Sequence, residues 1–562
     1  MESKHKISNL DNNVDILEYG TSSSTWSRKG ASIMETVSNN EIKKNFQYDR
    51  PVKDRILHPN METVLRQERF VGKQKYRGIA LRRRGDPALN YMKRKQALEE
   101  RGFLVSLLRF GGWNECQTQF KKNATRYRTV DVYLCLSKSY CFDESLYVSI
   151  EKRGTRMDRI YGQLEVWSNK KGFCSYMRKA LKSWTPEGAT WMKKFTFECW
   201  VVPHDNDELT EKLNSDTYFD TSGWVFKPES GGGGSGIYVA MDKAKVENDI
   251  KWWKKRRQTY VIQPRLANPL LIKNRKFDLR THVLVTSVSP IRAYLHSNGI
   301  VRFASGDFTK EYSKDTRNSF LTNLSVGGKT TKTEDLSWSF EELRAYLKED
   351  AALVFSRIDE AIAKMLVASE KAFSERYSSI DSGNFKCRTC YQQIGVDILL
   401  DEDLKPYIME VNGNPMQNFK SEKITQVCKE FQSDISALLY GDNSNSINND
   451  LIEALESVLS PGMDLDSYYD WLDSDSIEYL LMMLTEQMNM ESFRLVYPSS
   501  HAAYSKTKEI EWTTYLDYLQ HAPERIAFHK LLVNLQRERV SKCLDFEGDR
   551  CSAEVYDIKL ET

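Results

Sequence analysis

The sequence predicts a mixed α/β (α+β) protein, and three stretches carry that expectation. Residues 397–415, DILLDEDLKPYIMEVNGNP, place two apolar runs on either side of a polar turn, a hairpin signal. Residues 223–240, GWVFKPESGGGGSGIYVA, read as strand, glycine loop and strand. Residues 339–377 are helical in spacing and composition over a length no strand reaches, with one expected break.

The remaining elements follow in chain order. Residues 1–50 are rich in Ser, Asn and charge without sustained periodicity and are expected to be disordered. Residues 51–154 are expected to form a small N-terminal α/β lobe: a basic helix in YMKRKQALEERG and strands in GFLVSLLRF and TVDVYLCLS. A larger domain is expected over 155–441. It opens on a helix at 170–184 with Phe173, Met177 and Leu181 on one face, followed by a short strand, FECWVVP. DELTEKLNS reads as a helix capped by Asp205 or Asn206, TYVIQPRLANPLLI as a strand entering a loop, and 276–305 as a hairpin turning at SVSP. A helix ending at Gly441 closes the domain. Residues 442–562 begin with a linker, GDNSNSINND, and continue as an acidic helical region whose Met482, Met483 and Met488 read as core.

Bulk properties narrow the function classes. The chain has 562 residues and no run of about 18 apolar residues, so no membrane helix is expected. The N-terminus has no apolar signal core, so a cytoplasmic location is expected and the ten cysteines read as reduced thiols. Cys387 and Cys390 form a CxxC pair, but no second ligand pair follows at zinc spacing. Net charge is +3, with −13 from Gly441 onward and therefore +16 on residues 1–440. A basic body points to an acidic macromolecular partner. The clusters Arg82–Arg84 and Lys254–Arg257 have no aromatic interleaving beyond Trp252–Trp253, so nucleic acid ranks last among such partners.

The central segments carry the chemistry. With the hairpin centred near Asp403–Leu404, Asp397 falls opposite Glu410, and Glu410 and Asn412 share a face. Two carboxylates and an amide oxygen make a hard, all-oxygen set suited to Mg²⁺ that also takes nucleotide phosphates. The glycine loop, with Gly231, Gly232, Gly233 and Gly234, lets backbone N–H groups approach phosphate. It is not a Walker A loop, because Lys227 precedes the glycines and a strand follows them. In KFDLRTH, period two puts Lys276, Asp278, Arg280 and His282 on one face, with Arg302 on the returning strand. The arginine fork suits a carboxylate or phosphate. These groups fit transfer of phosphate from ATP to a carboxylate, followed by attack of an amine.

The ordered motifs WVFKPESGGGGSGI, VIQPRLANPLLIKNRKFDLR, YLHSNGIVRFAS, FLTNLS and IGVDILLDEDLKPYIMEVNGNP resemble those of the tubulin tyrosine ligase and tubulin tyrosine ligase-like family, over roughly 155–440. The resemblance implies an ATP-grasp fold and an enzyme that uses ATP and Mg²⁺ to add tyrosine, glutamate or glycine to a protein tail. It implies tubulin or microtubules as partner, a free amino acid as co-substrate, and a cytoskeletal location that includes cilium or flagellum. By the same resemblance, Lys227, Lys276 and Asp278 serve the nucleotide and Gln263 begins the adenine hinge. Arg280 and Arg302 serve the γ-phosphate and incoming amino acid, with Asn323 in the LTN element. Asp397, Glu410 and Asn412 are the implied metal ligands. Pro264 replaces a usual N–H donor in the hinge, which moves the expected adenine contact to Leu266. That departure keeps a second expectation in view, an inactive module that retains the fold and binds tubulin or nucleotide.

Overall fold

A computed structural model describes residues 77–83, 92–101, 103–110, 130–135, 144–182, 194–214, 223–229, 233–313, 315–322, 333–415, 421–441 and 474–497, with positions 512, 513, 515, 516, 519, 529, 530, 532 and 533. The chain divides into Met1–Arg55 and Ile56–Thr562, and every described element belongs to the second unit. The expected disordered segment at 1–50 lies outside the described residues.

The first elements build a small parallel sheet. Strands β1 (Arg77–Arg83), β2 (Leu104–Phe110), β3 (Val132–Cys135) and β4 (Arg156–Met157) run in the order β2-β1-β3-β4, with helices α1 (Met92–Glu100) and α2 (Glu144–Glu151). The basic text of β1 hides a central strand that its charge does not announce. Helix α3 (Lys170–Leu181) follows a π-helical turn at Leu164–Ser168 and buries Phe173, Cys174 and Met177. Asn169 starts it, accepting from the backbone N–H of Lys171 at 2.9 Å and of Gly172 at 3.2 Å.

A four-stranded antiparallel sheet comes next, in the order β5-β8-β6-β7. Its strands are β5 (Trp200–Val202), β6 (Trp224–Pro228), β7 (Tyr238–Ala240) and β8 (Tyr260–Pro264), flanked by α4 (Asn206–Asn214) and α5 (Lys243–Lys255). Trp200, Trp224, Phe226, Val246 and Ile262 form its core with these helices.

An eight-stranded sheet carries the rest. Its spine is β10 (Arg275–Val288), which pairs with β9 (Leu271–Ile272), β11 (Ile291–His296), β12 (Ile300–Phe303) and β14 (Gln392–Leu400). The short α6 (Arg317–Phe320), β13 (Ser337–Ser339), α7 (Phe340–Leu347) and α8 (Asp350–Tyr377) lie between β12 and β14. The expected break in the long helical text falls at Lys348, whose φ is +52°. Helix α8 buries an apolar stripe that includes Val354, Ile358, Ile362, Leu366 and Phe373 in the main core. Each such side chain contributes roughly 1.5–3 kcal/mol. Strand β15 (Pro406–Asn412) completes the hairpin with β14, and α9 (Glu422–Tyr440) follows.

The tail is joined to this body. Helix α10 (Ser474–Gln487) is followed by β16 (Phe493–Tyr497), which extends the large sheet by pairing antiparallel with β11. Glu486 of α10 meets Arg292 in a buried pair at 2.7 Å, and Arg494 forks onto Asp359 of α8 at 2.6 Å on both arms. One acidic residue of the tail, Glu486, therefore neutralises an arginine of the main sheet, and one tail arginine, Arg494, neutralises a carboxylate of α8.

The cysteine expectation is corrected here. The structure pairs Cys174 with Cys199 and Cys387 with Cys390 as disulfides. Packing of α3 against the segment entering β5 brings the first pair together across 25 residues, a proximity no local spacing encodes.

Candidate active site

The hairpin register is fixed at its turn. Asp401 accepts from the backbone N–H of Asp403 at 3.0 Å and of Lys405 at 2.8 Å, which holds Leu404 in a left-handed conformation of φ +61°. Arg357 of α8 donates to the carbonyls of Asp403, at 2.7 Å, and Leu404, at 3.2 Å. The resulting register sets Asp397 opposite Glu410 and Gly395 opposite Asn412, with a bulge just after Asp397. The neighbouring registers place Arg280 beside Asp397 and Asp278 beside Arg302.

These registers build a ladder of alternating charge. Arg280 forks onto Asp397, with its Nη2 at 2.9 Å from Oδ2. Arg302 forks onto Asp278 at 2.6 and 2.8 Å and reaches Asp397 Oδ2 at 2.9 Å. Thr322 adds its hydroxyl to Asp278 at 2.5 Å. All four charged members are buried. Burial alone would raise the Asp397 pKa, but Arg280 and Arg302 outweigh it and hold the carboxyl well below the usual carboxylate range. Burial likewise works against the Arg302 cation, and Asp278 and Asp397 more than restore it.

A cleft of about 1060 Å³, including its open mouth, lies between the ladder and the four-stranded sheet. Asp278, Arg302, Asp397 and Glu410 line one side, with Lys227, Lys276 and Lys170 around it. Val225, Ile237, Val239, Leu399 and Met409 supply an apolar slot, and Gln263 and Leu266 line the hinge. Pro264 removes one N–H, and the Arg265 N–H is committed to the Gly223 carbonyl at 3.0 Å. The next backbone N–H along the hinge is that of Leu266. Gly233 and Gly234 also line the cleft, both at positive φ, and Arg317 of α6 ties the Gly234 carbonyl at 2.9 Å.

The two lysines differ from the ladder. Among the described residues, Lys227 Nζ hydrogen-bonds only the Met409 carbonyl, at 3.4 Å, and Lys276 Nζ only the Phe320 carbonyl, at 3.2 Å. Burial lowers each lysine pKa to about 8, with Glu410 partly offsetting this at Lys227 and Asp278 at Lys276. The cleft thus offers an apolar slot beside desolvated cations, a shape and charge suited to a nucleotide polyphosphate.

The chain can be set beside known proteins. The profile of the Tubulin-tyrosine ligase family matches residues 163–445, just over half the chain. The chain belongs to this family. Its mixed helix-and-sheet architecture is the ATP-grasp-like fold. The ligase-family domain is 29% identical over 258 residues to the probable tubulin polyglutamylase ttll-9 of Caenorhabditis elegans, covering 44% of this chain and 58% of that protein. It is 31% identical over 239 residues to the tubulin monoglutamylase TTLL4 of Mus musculus, covering 40% of this chain and 19% of that one. It is 30% identical over 211 residues to the tubulin polyglutamylase TTLL5 of Mus musculus, 35% of this chain and 15% of that one. The chain therefore spans little over half of the first relative and under a fifth of the other two.

The ligase-family cleft separates residues that the sequence had grouped. Arg280 does not line it: the guanidinium stands behind Asp397, packed where a Cβ on Gly395 would meet its Cδ at 2.8 Å. His282, on the same face of β10, is fully buried and stacks on Phe431 of α9, so that face runs from cleft into core. Gly231, Gly232 and Asn323 lie outside the described residues. Asn412 converges with the carboxylates, its amide nitrogen 3.3 Å from Asp397 Oδ2 and 3.3 Å from Glu410 Oε1. Among the described residues no three His, Cys, Asp or Glu side chains gather as a metal cage. Two carboxylates and an amide fit a hard cation that completes its shell from phosphate and water.

Sequence reasoning missed three contributors. Lys170, placed by the Asn169 cap, lies 3.6 Å from Glu410, and nothing in its helical text marks it. Thr322 sits beside the singled-out Asn323 and was legible by that adjacency. Gly413 lets the turn after Asn412 press against Gln163 and Ser168, where a Cβ would lie 2.1 Å from each side chain.

Proposed function

We propose that this chain is an ATP- and Mg²⁺-dependent ligase that joins an amino acid to a protein tail, with tubulin as acceptor. One observation carries the reading: a single cleft combines the apolar slot, the lysines Lys227 and Lys276, and the Asp278–Arg302–Asp397 ladder beside Glu410. In this reading Lys227 and Lys276 hold the polyphosphate, while Gln263 and Leu266 meet the base. Asp397, Glu410 and Asn412 hold Mg²⁺, which when bound neutralises phosphate charge. By the family resemblance, Gly231–Gly234 are assigned to the phosphates and Asn323 to the transfer step. Arg302 faces the cleft and offsets charge on the transferred phosphoryl group; Arg280 keeps Asp397 ionised and in place. A carboxylate oxygen attacks the γ-phosphorus of ATP, and ADP leaves. The amine then attacks the acyl phosphate, releasing inorganic phosphate and a proton as the amide forms. The names of the relatives support glutamate over tyrosine or glycine as the added amino acid. A cytoplasmic, cytoskeletal site of action follows from a tubulin acceptor.

The test is ATP-dependent incorporation of labelled glutamate, tyrosine and glycine into tubulin, with Glu410→Gln as control. Glutamate incorporation by the natural chain, lost in a control that melts normally, is the expected result. Incorporation that survives in folded Glu410→Gln refutes the metal assignment. A second reading, a binding module without turnover, draws on both Asp397 oxygens being engaged by arginines and on Pro264 in the hinge. Nucleotide-dependent thermal stabilisation with no incorporation of any of the three amino acids selects it.

A further inference from the structure

Helix α5 ends in Lys251-Trp252-Trp253-Lys254-Lys255, and the chain continues Arg256-Arg257. Its apolar residues Val246 and Ile250 are buried against the four-stranded sheet. Trp253 donates its indole N–H to the Tyr238 hydroxyl at 2.9 Å and stacks on Tyr260 with ring centroids 4.2 Å apart, which anchors this end of the helix. The other side chains face solvent. Lys251, Lys254, Lys255, Arg256 and Arg257 are all exposed, and among the described residues none has a carboxylate within ion-pair distance. Trp252 is 44% exposed, with the Arg256 guanidinium over its ring at 3.8 Å.

The helix end holds this charge in a defined geometry. The Gln258 N–H returns to the Trp253 carbonyl and the Arg257 N–H to the Lys254 carbonyl, both at 3.2 Å, closing a Schellman turn. That closure puts the residue after the cap in the left-handed region, a place where glycine is favoured. Arg257 occupies it at φ +52°, a conformation that is strained for a residue with a Cβ. One or two cations satisfy the carbonyl end of a helix. Five cations within seven residues, one held in a strained conformation, exceed that need.

We infer that this end of α5 is a docking surface for an acidic polypeptide segment. Single-stranded nucleic acid is recognised on successive open aromatic faces, and here one exposed indole is already covered by Arg256. A membrane-surface helix presents its apolar face outward, and that of α5 is turned into the protein. Side-chain carboxylates instead suit a surface of three lysines and two arginine forks. The choice of a polypeptide over other polyanions rests on the reading of the chain as a ligase for a protein tail. The surface adjoins the cleft, because Tyr238, which accepts the Trp253 hydrogen bond, lines it. An acidic acceptor held there is concentrated beside the cleft without entering it.

The experiment is fluorescence anisotropy of a labelled oligoglutamate peptide with the full chain, in the absence of ATP. The variant carries Lys251→Ser, Lys254→Ser, Lys255→Ser and Arg257→Gly; the last change relieves the strained conformation, and melting checks the fold. A control replaces exposed Lys348, Lys371 and Lys429 by serine. The expected result is peptide binding weakened about tenfold or more in the first variant, with a shallower salt dependence, and little changed in the control. Equal binding by the natural chain and the first variant overturns the surface, as does an equal loss in the control. Tighter binding of single-stranded RNA or phosphatidylserine vesicles, released by the same substitutions, overturns the polypeptide assignment. Patch-dependent peptide binding with no amino-acid incorporation would support the surface and overturn the ligase reading alone.

Discussion

Two sets of buried charge at the cleft are handled in opposite ways. On the large sheet, Asp278, Arg302, Asp397 and Arg280 are buried and mutually neutralised, each fork closed at hydrogen-bond distance. Lys227 of β6 and Lys276 at the start of β10 are instead desolvated, and among the described residues each Nζ hydrogen-bonds only a backbone carbonyl. The first set is complete by itself and resists rearrangement. The second holds cations at an electrostatic cost that an anionic ligand would relieve. A buried network that is satisfied supplies shape, and one that is short of anions supplies affinity.

The largest break in this comparison comes from Asp397→Asn. It leaves Arg280 without a carboxylate and strips Arg302 of one of two, so unfolding free energy should fall by about 3–5 kcal/mol and incorporation should vanish. Urea denaturation measures the first effect; an unchanged midpoint would mean that the ladder does not stabilise the sheet. Next in size is Gly395→Ala, whose new methyl meets Arg280 Cδ at 2.8 Å and Pro415 Cβ at 3.0 Å. Overpacking there should cost about 1–3 kcal/mol, read in the same titration, with catalytic loss following from displacement of Arg280.

The lysine pair gives a subtler signature with a definite sign. Both lysines titrate near 8 in the folded chain against an ordinary 10.5. Between those values the unfolded chain binds more protons, so the free protein gains stability as pH rises through that window. A bound polyphosphate favours the charged lysines, so its stabilising effect should shrink as pH climbs through 8. Melting temperatures with and without ATP at several pH values test this, with Lys227→Met flattening the trend. A nucleotide shift that grows with pH would remove the lysines from the phosphate site.

Much of this molecule is legible because its signals are local. The Asp401 turn fixes a two-residue side-chain period, so the meeting of Asp397 with Glu410 could be read from the hairpin text and is found in the register. The glycine loop between β6 and β7, the broken helix α7–α8 and the strand of alternating charge in β10 are equally local patterns. Long-range events left little trace. Strand β1 was masked by its arginines, and β16 by the helical text before it, because strand pairing partners lie far away in sequence. Lys170 enters the cleft only because α3 packs where it does.

The sequence by itself determined the family, the order of the motifs, and the pairing of acidic residues across one hairpin. These follow from residue type and spacing, which short-range geometry converts directly into position. Tertiary structure alone decided that Arg280 stands behind Asp397 instead of in the cleft, that His282 ends in the core, and that Glu486 ties the tail to the sheet and Arg494 ties it to α8. The reason is that a side chain's face is set by local period, whereas what covers that face is set by elements hundreds of residues apart.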